Sequence, residues 1–170
     1  MSLNFIPDHR FSTFDCVTVE FLLNEGIRGL ILDIDNTLEP YEHDLPGVHV
    51  IAWLEELGKN GISAAFVSNN NKERVDLFNE SLGLPAYYKS GKPFKKNLLL
   101  AMKAMGTDKT NTALMGDQVF TDVWGAHNAG IKAILVPPIK DKRDLFTRFK
   151  RLLEKPFLRK YEKRKRKLDK

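Results

Sequence analysis

The sequence contains almost no cysteine. Cys16 is the single cysteine among 170 residues, so neither an intramolecular disulfide nor a zinc site built from several cysteines can form. A chain without disulfides suits a reducing compartment, and we therefore expect a cytoplasmic protein. Cys16 itself is predicted to be a small packing residue.

Long apolar runs are also missing. No segment is long and apolar enough for a membrane-spanning helix, and residues 1–8 have neither the basic start nor the apolar stretch of a secretory signal, so we expect none. Two glycine-rich patterns, GxGxxG and the P-loop, are absent as well. Nucleotide binding by those two routes is therefore unsupported.

The positive charge is concentrated near the C-terminus. Residues 141–170 carry 14 Lys and Arg against 5 Asp and Glu, whereas residues 1–140 carry 13 against 17. The chain is long enough for one domain with its own core. We therefore predict a globular domain over residues 1–155 and a basic tail over residues 156–170.

The C-terminal segment is predicted to be helical from residue 144 onward, with a break at Pro156. An apolar stripe before the break is expected to pack on the core, and it consists of Leu145, Phe149, Leu152 and Leu153. Beyond the break, Phe157 and Tyr161 lie among many cations, which suits an anionic membrane surface. The same cations suit nucleic-acid phosphates, and a solvated end is the third interpretation.

Apolar runs of strand length alternate with segments of helical periodicity. Strands are expected at residues 27–34, 62–67, 86–88, 111–115 and 131–136, and helices at about 18–25, 48–60, 72–82, 94–105 and 121–129. Such alternation favours a parallel sheet with helices on both faces. The predicted fold is therefore α/β, a Rossmann-like three-layer sandwich.

Polar side chains follow successive strands of this predicted sheet. They are Asp33 and Asp35, then Ser68 and Asn69, then Asp117, with Lys92 in a turn before a helix. The carboxyl ends of parallel strands meet at one edge, so these side chains should converge. Carboxylates suit Mg²⁺, a lysine balances the charge of a transferring phosphoryl group, and a hydroxyl beside a helix start holds phosphate oxygens. This set predicts phosphoryl transfer.

Four motifs occur in order along the chain. They are Asp33-Ile34-Asp35-Asn36-Thr37, Ser68, Lys92 and Gly116-Asp117-Gln118-Val119-Phe120-Thr121-Asp122. The set resembles the haloacid dehalogenase (HAD) superfamily of phosphatases. Asp-Asn-Thr-Leu at 35–38, Val-Ser-Asn-Asn-Asn at 67–71, Gly-Lys-Pro at 91–93 and Gly-Asp-Gln-Val-Phe-Thr-Asp at 116–122 resemble, more narrowly, a bacterial group, the class IIIA YqeG type. That group is similar to the mitochondrial phosphatidylglycerophosphate phosphatases.

The resemblance implies catalytic roles for three residues. Asp33 would be the nucleophile that forms an aspartyl-phosphate. Asp35 would protonate the leaving oxygen and then activate water. Lys92 would orient Asp33 and balance charge.

The resemblance also implies a metal site and a phosphate site. Mg²⁺ would be held by the Asp33 carboxylate, the Asp35 backbone carbonyl and Asp117. Asp122 is a further candidate, either near the metal or as an acid at a helix start. The residues expected to bind substrate phosphate are Thr37, Ser68, Asn69 and Lys92.

The spacing of the motifs leaves no room for a cap domain. Asp35 and Ser68 are 33 positions apart, and Ser68 and Lys92 are 24 apart. Small ligands are usually enclosed, so an open site favours a large substrate unless an oligomer partner covers it. A lipid headgroup at a membrane, a nucleic-acid end and a phosphoprotein are substrates of this kind. The substrate that the resemblance implies is phosphatidylglycerophosphate, met as a lipid headgroup by a cytoplasmic enzyme peripheral to the membrane. A nucleic-acid end or nucleotide phosphatase is the alternative, and a basic-tail binding module with a vestigial site is the non-enzymatic one.

Overall fold

A computed structural model describes residues 4–140 and 145–168, with side chains for residues 4–140 and 152–167. Six parallel strands form one sheet in the order β1-β6-β5-β2-β3-β4. The strands are β1 (His9–Arg10), β2 (Gly29–Leu32), β3 (Ser63–Val67), β4 (Ala86–Tyr87), β5 (Thr112–Gly116) and β6 (Lys132–Leu135). The helices are α1 (Val19–Asn24), α2 (Val48–Lys59), α3 (Lys72–Asn79), α4 (Lys96–Met105), α5 (Trp124–Ala129) and α6 (Leu145–Leu168), with a 3₁₀ turn at Phe14–Cys16 and a π-helix at Val119–Val123.

Strand β2 lies at the centre of the sheet and is buried along its whole length. Because side chains alternate along a strand, Leu30 and Leu32 join the core under α2 and α3, whereas Ile31 joins the core under α4 and α5. The predicted three-layer sandwich is confirmed. The chain leaves β2 toward β3 on one side and later returns to β5 on the other, so β2 ends where the strand order reverses. Ligands bind at that point in open α/β sheets.

Strand β1 was not predicted, because two residues give no readable alternation. Tertiary hydrogen bonds hold it instead: the carboxylate of Asp8 accepts from the Ala133 N–H at 2.8 Å and lies 3.0 Å from Nε2 of His127. Cys16 is exposed, so its prediction as a packing residue was wrong. It lies in the 3₁₀ turn, 3.2 Å from the hydroxyls of Ser12 and Thr13.

Helix α6 runs through Pro156 without the predicted break. Contacts on both sides of the proline hold it: Glu154 is buried, and Phe157 packs against Phe5 and Phe120. The face that α6 turns toward the core also differs from the expectation. Leu152 and Leu153 are 57% and 45% exposed, so the apolar stripe was wrong for these two residues.

Among the described side chains of α6, Phe157 and Leu158 make the apolar contact with the core. Leu145 and Phe149, the other members of the predicted stripe, lie outside the described side chains. The division of the chain at residue 155 stays a prediction, and α6 crosses it. No helix among the described residues has both the length and the apolar character needed to cross a bilayer.

Candidate active site

The chain turns sharply where β2 ends. The Asp33 N–H still bonds the Met115 carbonyl at 3.0 Å, and the N–H groups of Thr37 and Leu38 then fold back onto the Ile34 carbonyl. Asn36 takes φ of +61° in this turn, a conformation that asparagine tolerates better than most residues. The turn leaves Asp33 and Asp35 at the carboxyl edge of the sheet.

Lys92 joins the first and last motifs. Its Nζ lies 2.7 Å from Oδ1 of Asp33 and 2.7 Å from Oδ1 of Asp122. All three side chains are buried. Burial opposes the charge on Lys92, but the charges of Asp122 and Asp33 outweigh it and raise the pKa of the lysine. Lys92 is therefore a fixed cation beside Asp33.

Asp33, Asp117 and Asp122 each bring a carboxylate oxygen within 4.8 Å of the other two. When all three are ionised, Lys92 leaves two negative charges in excess. Burial, together with the charges of Asp122 and Asp117, raises the pKa of Asp33 to about 7 although Lys92 opposes the rise. An oxygen-rich cluster with two excess negative charges fits a divalent cation. The Asp35 carboxylate is not part of this group, and metal binding by its backbone carbonyl stays a prediction.

Position 116 requires glycine for a steric reason. A Cβ on Gly116 would overlap the carboxylate of Asp122, which in turn accepts the Gln118 N–H at 3.0 Å. Glycine thus lets Asp122 fold back under the loop that carries Asp117. Asp122, left undecided by the sequence, contacts Lys92 as well as the N–H at its own helix start.

Asp35 is held by two residues that sequence reasoning did not assign. Its Oδ2 accepts from Nδ2 of Asn70 at 2.8 Å, and its Oδ1 accepts from Nε of Arg74 at 3.1 Å. Arg74 also donates to the carbonyl of Asp44 at 2.9 Å, which ties the loop after the first motif to α3. The proposed acid/base therefore has a fixed orientation in this structure.

The predicted phosphate-binding residues lie at the same edge, with different contacts. The buried Ser68 hydroxyl accepts the Asn70 N–H at 3.1 Å, and the Thr37 hydroxyl lies 3.5 Å from Oδ2 of Asp33. The Asn69 carboxamide oxygen accepts the Lys92 N–H at 2.8 Å, so Asn69 orients the lysine turn. Phosphate binding by these side chains stays a prediction.

Helix α6 reaches the loop after Asp117 through Glu154. This buried carboxylate accepts the Val119 N–H at 3.1 Å, two residues after Asp117. Val119 begins the π-helix that carries Asp122. The charge-based description of the C-terminal segment missed Glu154, because a single acid among many cations gives no signal of burial.

Replacing Glu154 by Ala should lower the free energy of unfolding by about 1–3 kcal/mol, because a buried N–H loses its acceptor. It should also raise the Mg²⁺ concentration needed for half-maximal activity, whereas Glu154→Gln, which keeps an acceptor, should do so less. Glu162→Ala is the control, because Glu162 lies on the same helix but its side chain is 45% exposed and pairs with Arg10. Equal Mg²⁺ requirements for the two alanine variants would contradict the role of Glu154.

Comparisons with known proteins agree with this geometry. Residues 89–147 match a protein family described as HAD-hydrolase-like. The chain is 38% identical over 154 residues to the probable phosphatase YqeG of Bacillus subtilis (strain 168). The aligned region covers 91% of this chain and 90% of that protein.

Two solved structures share the fold. The cobalt-bound deoxy-D-mannose-octulosonate 8-phosphate phosphatase YrbI of Haemophilus influenzae matches with a TM-score of 0.54 and 18% identity, over 81% of this chain and 91% of that one. The corresponding phosphatase of Moraxella catarrhalis, solved with magnesium, phosphate and KDO, matches with a TM-score of 0.53 and 19% identity, over 69% and 73%. Because the match to YqeG spans nearly all of both proteins, this chain belongs to the HAD-like phosphatases.

Proposed function

We propose that this phosphatase is a Mg²⁺-dependent phosphomonoesterase that acts through an aspartyl-phosphate on Asp33. The observation that carries the proposal is the buried ion pair of Asp33 with Lys92, at 2.7 Å, beside Asp117 and Asp122. An acid held next to a fixed cation at the end of the central strand is suited to attack a phosphorus atom whose oxygens carry negative charge.

Different residues of the chain perform the successive steps of the proposed reaction. A carboxylate oxygen of Asp33 attacks phosphorus while the ester P–O bond breaks, and Asp35 gives its proton to the leaving oxygen. Asp35 then takes a proton from water as that water attacks the aspartyl-phosphate, which releases phosphate and regenerates Asp33. Asn70 and Arg74 hold the Asp35 carboxylate, and Lys92 stays beside the oxygen atoms of Asp33.

The carboxylates of Asp33 and Asp117 and the backbone carbonyl of Asp35 would hold Mg²⁺, and Asp122 is a further candidate. The bound ion would supply positive charge next to the transferring phosphoryl group. Their chemistry supports this assignment, since all of these donors are oxygens and the cluster carries excess negative charge.

The proposed substrate is phosphatidylglycerophosphate, and the product is phosphatidylglycerol. The stretch between Asp35 and Ser68 consists of a loop at residues 36–47, α2 and β3, so no cap domain is inserted there. An uncapped site supports a substrate that stays in a membrane. We further propose a cytoplasmic enzyme that meets the membrane peripherally, with the exposed cations of residues 159–167 adding attraction to anionic lipid.

A phosphate-release screen tests the substrate class. Purified protein is offered phosphatidylglycerophosphate in detergent micelles, nucleotides, 5′- and 3′-phosphorylated oligonucleotides and sugar phosphates, with Asp33→Asn as the blank. The lipid is expected to give the highest kcat/KM. Preference for phosphorylated oligonucleotides or nucleotides would establish the alternative phosphatase function, and no release from any of them would leave the binding-module interpretation.

Removal of divalent metal should abolish activity, and Mg²⁺ should restore it. Mg²⁺ should also raise the melting temperature of the chelator-treated protein, because an ion that binds only the folded state stabilises it. Scanning calorimetry with and without Mg²⁺ gives this second readout independently of turnover. Chelator-insensitive activity would contradict the metal role.

A further inference from the structure

The loop that carries Lys92 is strongly basic. Between residues 81 and 107 the chain has five lysines and no Asp or Glu, and four of these lysines fall within residues 88–96. Lys92 points into the site and is buried, whereas Lys89, Lys95 and Lys96 are exposed. Only one of the four cations is therefore used by the catalytic machinery.

Two exposed aromatic residues precede the unused cations in the sequence. Phe94 is 66% exposed, the most exposed aromatic residue in the described part of the chain, and Tyr88 is 42% exposed. Phe94 precedes Lys95 and Lys96, and Tyr88 precedes Lys89. The 88–96 loop thus presents two aromatic rings, each followed directly by lysine.

The exposure of Phe94 does not come from a loosely held backbone. Asn69 bonds both the N–H and the carbonyl of Lys92, Asn128 donates to the Pro93 carbonyl at 3.1 Å, and Asn97 donates to the Ser90 carbonyl at 3.1 Å. The N–H of Phe94 bonds the Gly91 carbonyl at 2.9 Å. The loop is braced on both sides, and it still holds its aromatic ring in solvent.

Apolar residues on two further loops lie around the same site. Ile139 is 48% exposed, and its N–H bonds the carbonyl of Asn36, the residue after Asp35. Leu45 is 59% exposed and follows Asp44, whose carbonyl accepts from Arg74. The acid Glu42 of that loop is paired with Lys140 at 2.8 Å. Two exposed apolar residues thus belong to loops that are bonded to Asn36 or Arg74, and the 88–96 loop carries the exposed cations.

We propose that the 88–96 loop docks the enzyme on an anionic lipid bilayer, with Phe94 inserted at the headgroup level and Lys89, Lys95 and Lys96 against lipid phosphates. Exposed aromatic rings and lysines suit the bilayer interface, where the rings contact acyl chains and the cations contact headgroups. Docking by this loop puts Lys92 and Asp33 next to the membrane surface. The inference rests on the proposed lipid substrate. It goes further by assigning membrane contact to the loop at the edge of the site rather than to the basic tail.

Co-sedimentation of the full chain with vesicles tests this assignment. The vesicles are phosphatidylcholine with or without phosphatidylglycerol, which is not a substrate. The Lys95→Gln/Lys96→Gln double variant should bind the anionic vesicles about 30-fold more weakly, from about 1 kcal/mol per lysine. Phe94→Ser should also weaken binding. Hydrolysis of a small soluble phosphate monoester should not change in either variant, because neither removes a residue of the site.

Matched controls lie on the helices away from this edge. Lys103→Gln neutralises an exposed lysine late in α4, and Leu77→Ser replaces a leucine that is 41% exposed in α3. Both should bind anionic vesicles like the wild type. A tail variant with Lys163, Lys165 and Lys167 changed to Gln separates the two basic regions.

The outcomes separate the docking surface from the substrate. Wild-type vesicle binding by the 88–96 variants, with loss only in the tail variant, would overturn the docking proposal while leaving the lipid substrate in place. Loop-dependent binding without hydrolysis of phosphatidylglycerophosphate would keep the docking surface and reject the substrate. If the protein ignores vesicles and instead forms a dimer that Phe94→Ser dissociates, the loop is an interface between two copies, and the bilayer proposal is overturned.

Discussion

Replacing Asp33 by Asn is expected to abolish phosphate release while the protein stays folded. The amide has nearly the shape of the carboxylate but cannot form an aspartyl-phosphate, so a loss of about 10⁴-fold or more is expected, as for other catalytic nucleophiles. Single-turnover phosphate release measures it. The matched control is Asp44→Asn, which changes an exposed acid of the adjacent loop. Turnover near the wild-type rate in Asp33→Asn would exclude Asp33 as nucleophile.

The same variant has a pH-dependent effect on stability in the absence of metal. The pKa of Asp33 is raised from 3.8 to about 7 by burial and by its acidic neighbours. The folded state therefore binds more protons than the unfolded state between about pH 4 and 7, and the stability that this group contributes is lost as pH rises through 7. Asparagine has no charge to bury.

Asp33→Asn should accordingly melt at a temperature near that of the wild type at pH 5 and at or above it at pH 8. Calorimetry of chelator-treated protein at the two values measures the difference. A variant that melts well below the wild type at pH 8 would show that the charged Asp33–Lys92 pair is net stabilising, which would contradict the expected sign.

Replacing Lys92 by Met should have the largest effect on stability. The variant keeps the length of the side chain but leaves three buried carboxylates without their cation. Breaking a buried ion pair by removing one partner costs about 3–5 kcal/mol, and loss of the charge beside the nucleophile should lower kcat by about 10²–10³-fold. Urea unfolding and steady-state kinetics measure the two effects.

Two comparisons make the Lys92→Met result specific. Lys89→Met removes an exposed lysine of the same loop and should change the free energy of unfolding by no more than about 0.5 kcal/mol. Saturating Mg²⁺ should recover part of the stability lost in Lys92→Met, because the ion supplies the missing positive charge, but it should not restore turnover. Equal stability of the two variants would show that Lys92 is not needed to balance the carboxylates.

The sequence was sufficient for the parts of the fold that repeat a pattern. Buried strands such as β2 give a local signal. The start of α1 also has one, because threonine is a typical N-cap residue and the Thr18 hydroxyl accepts the Phe21 N–H. The sequence also predicted that Asp33, Lys92 and Asp117 converge, because parallel strands bring their carboxyl ends to one edge of the sheet.

The missed residues depend on long-range packing. Arg74 reaches Asp35 from 39 positions away, and Glu154 reaches Val119 from 35 positions away. Their contacts depend on how α3 and α6 are rotated against the sheet, which periodicity does not determine. The exposed Leu152 and Leu153 have the same cause, because the aromatic contacts of Phe157 set the rotation of α6. Charged residues in polar helices were therefore underestimated as parts of the site.

The bond between Glu154 and Val119 also has a consequence for biosynthesis. Asp33, Lys92, Asp117 and Asp122 are all made before Glu154, which follows Asp122 by 32 positions. At about 5–20 residues per second, the ribosome adds Glu154 roughly 2–6 s after Asp122. During that interval the nascent chain has every residue of the carboxylate cluster but lacks the acceptor for the loop that carries it. The carboxylate cluster would thus reach its final geometry only after translation of the C-terminal helix.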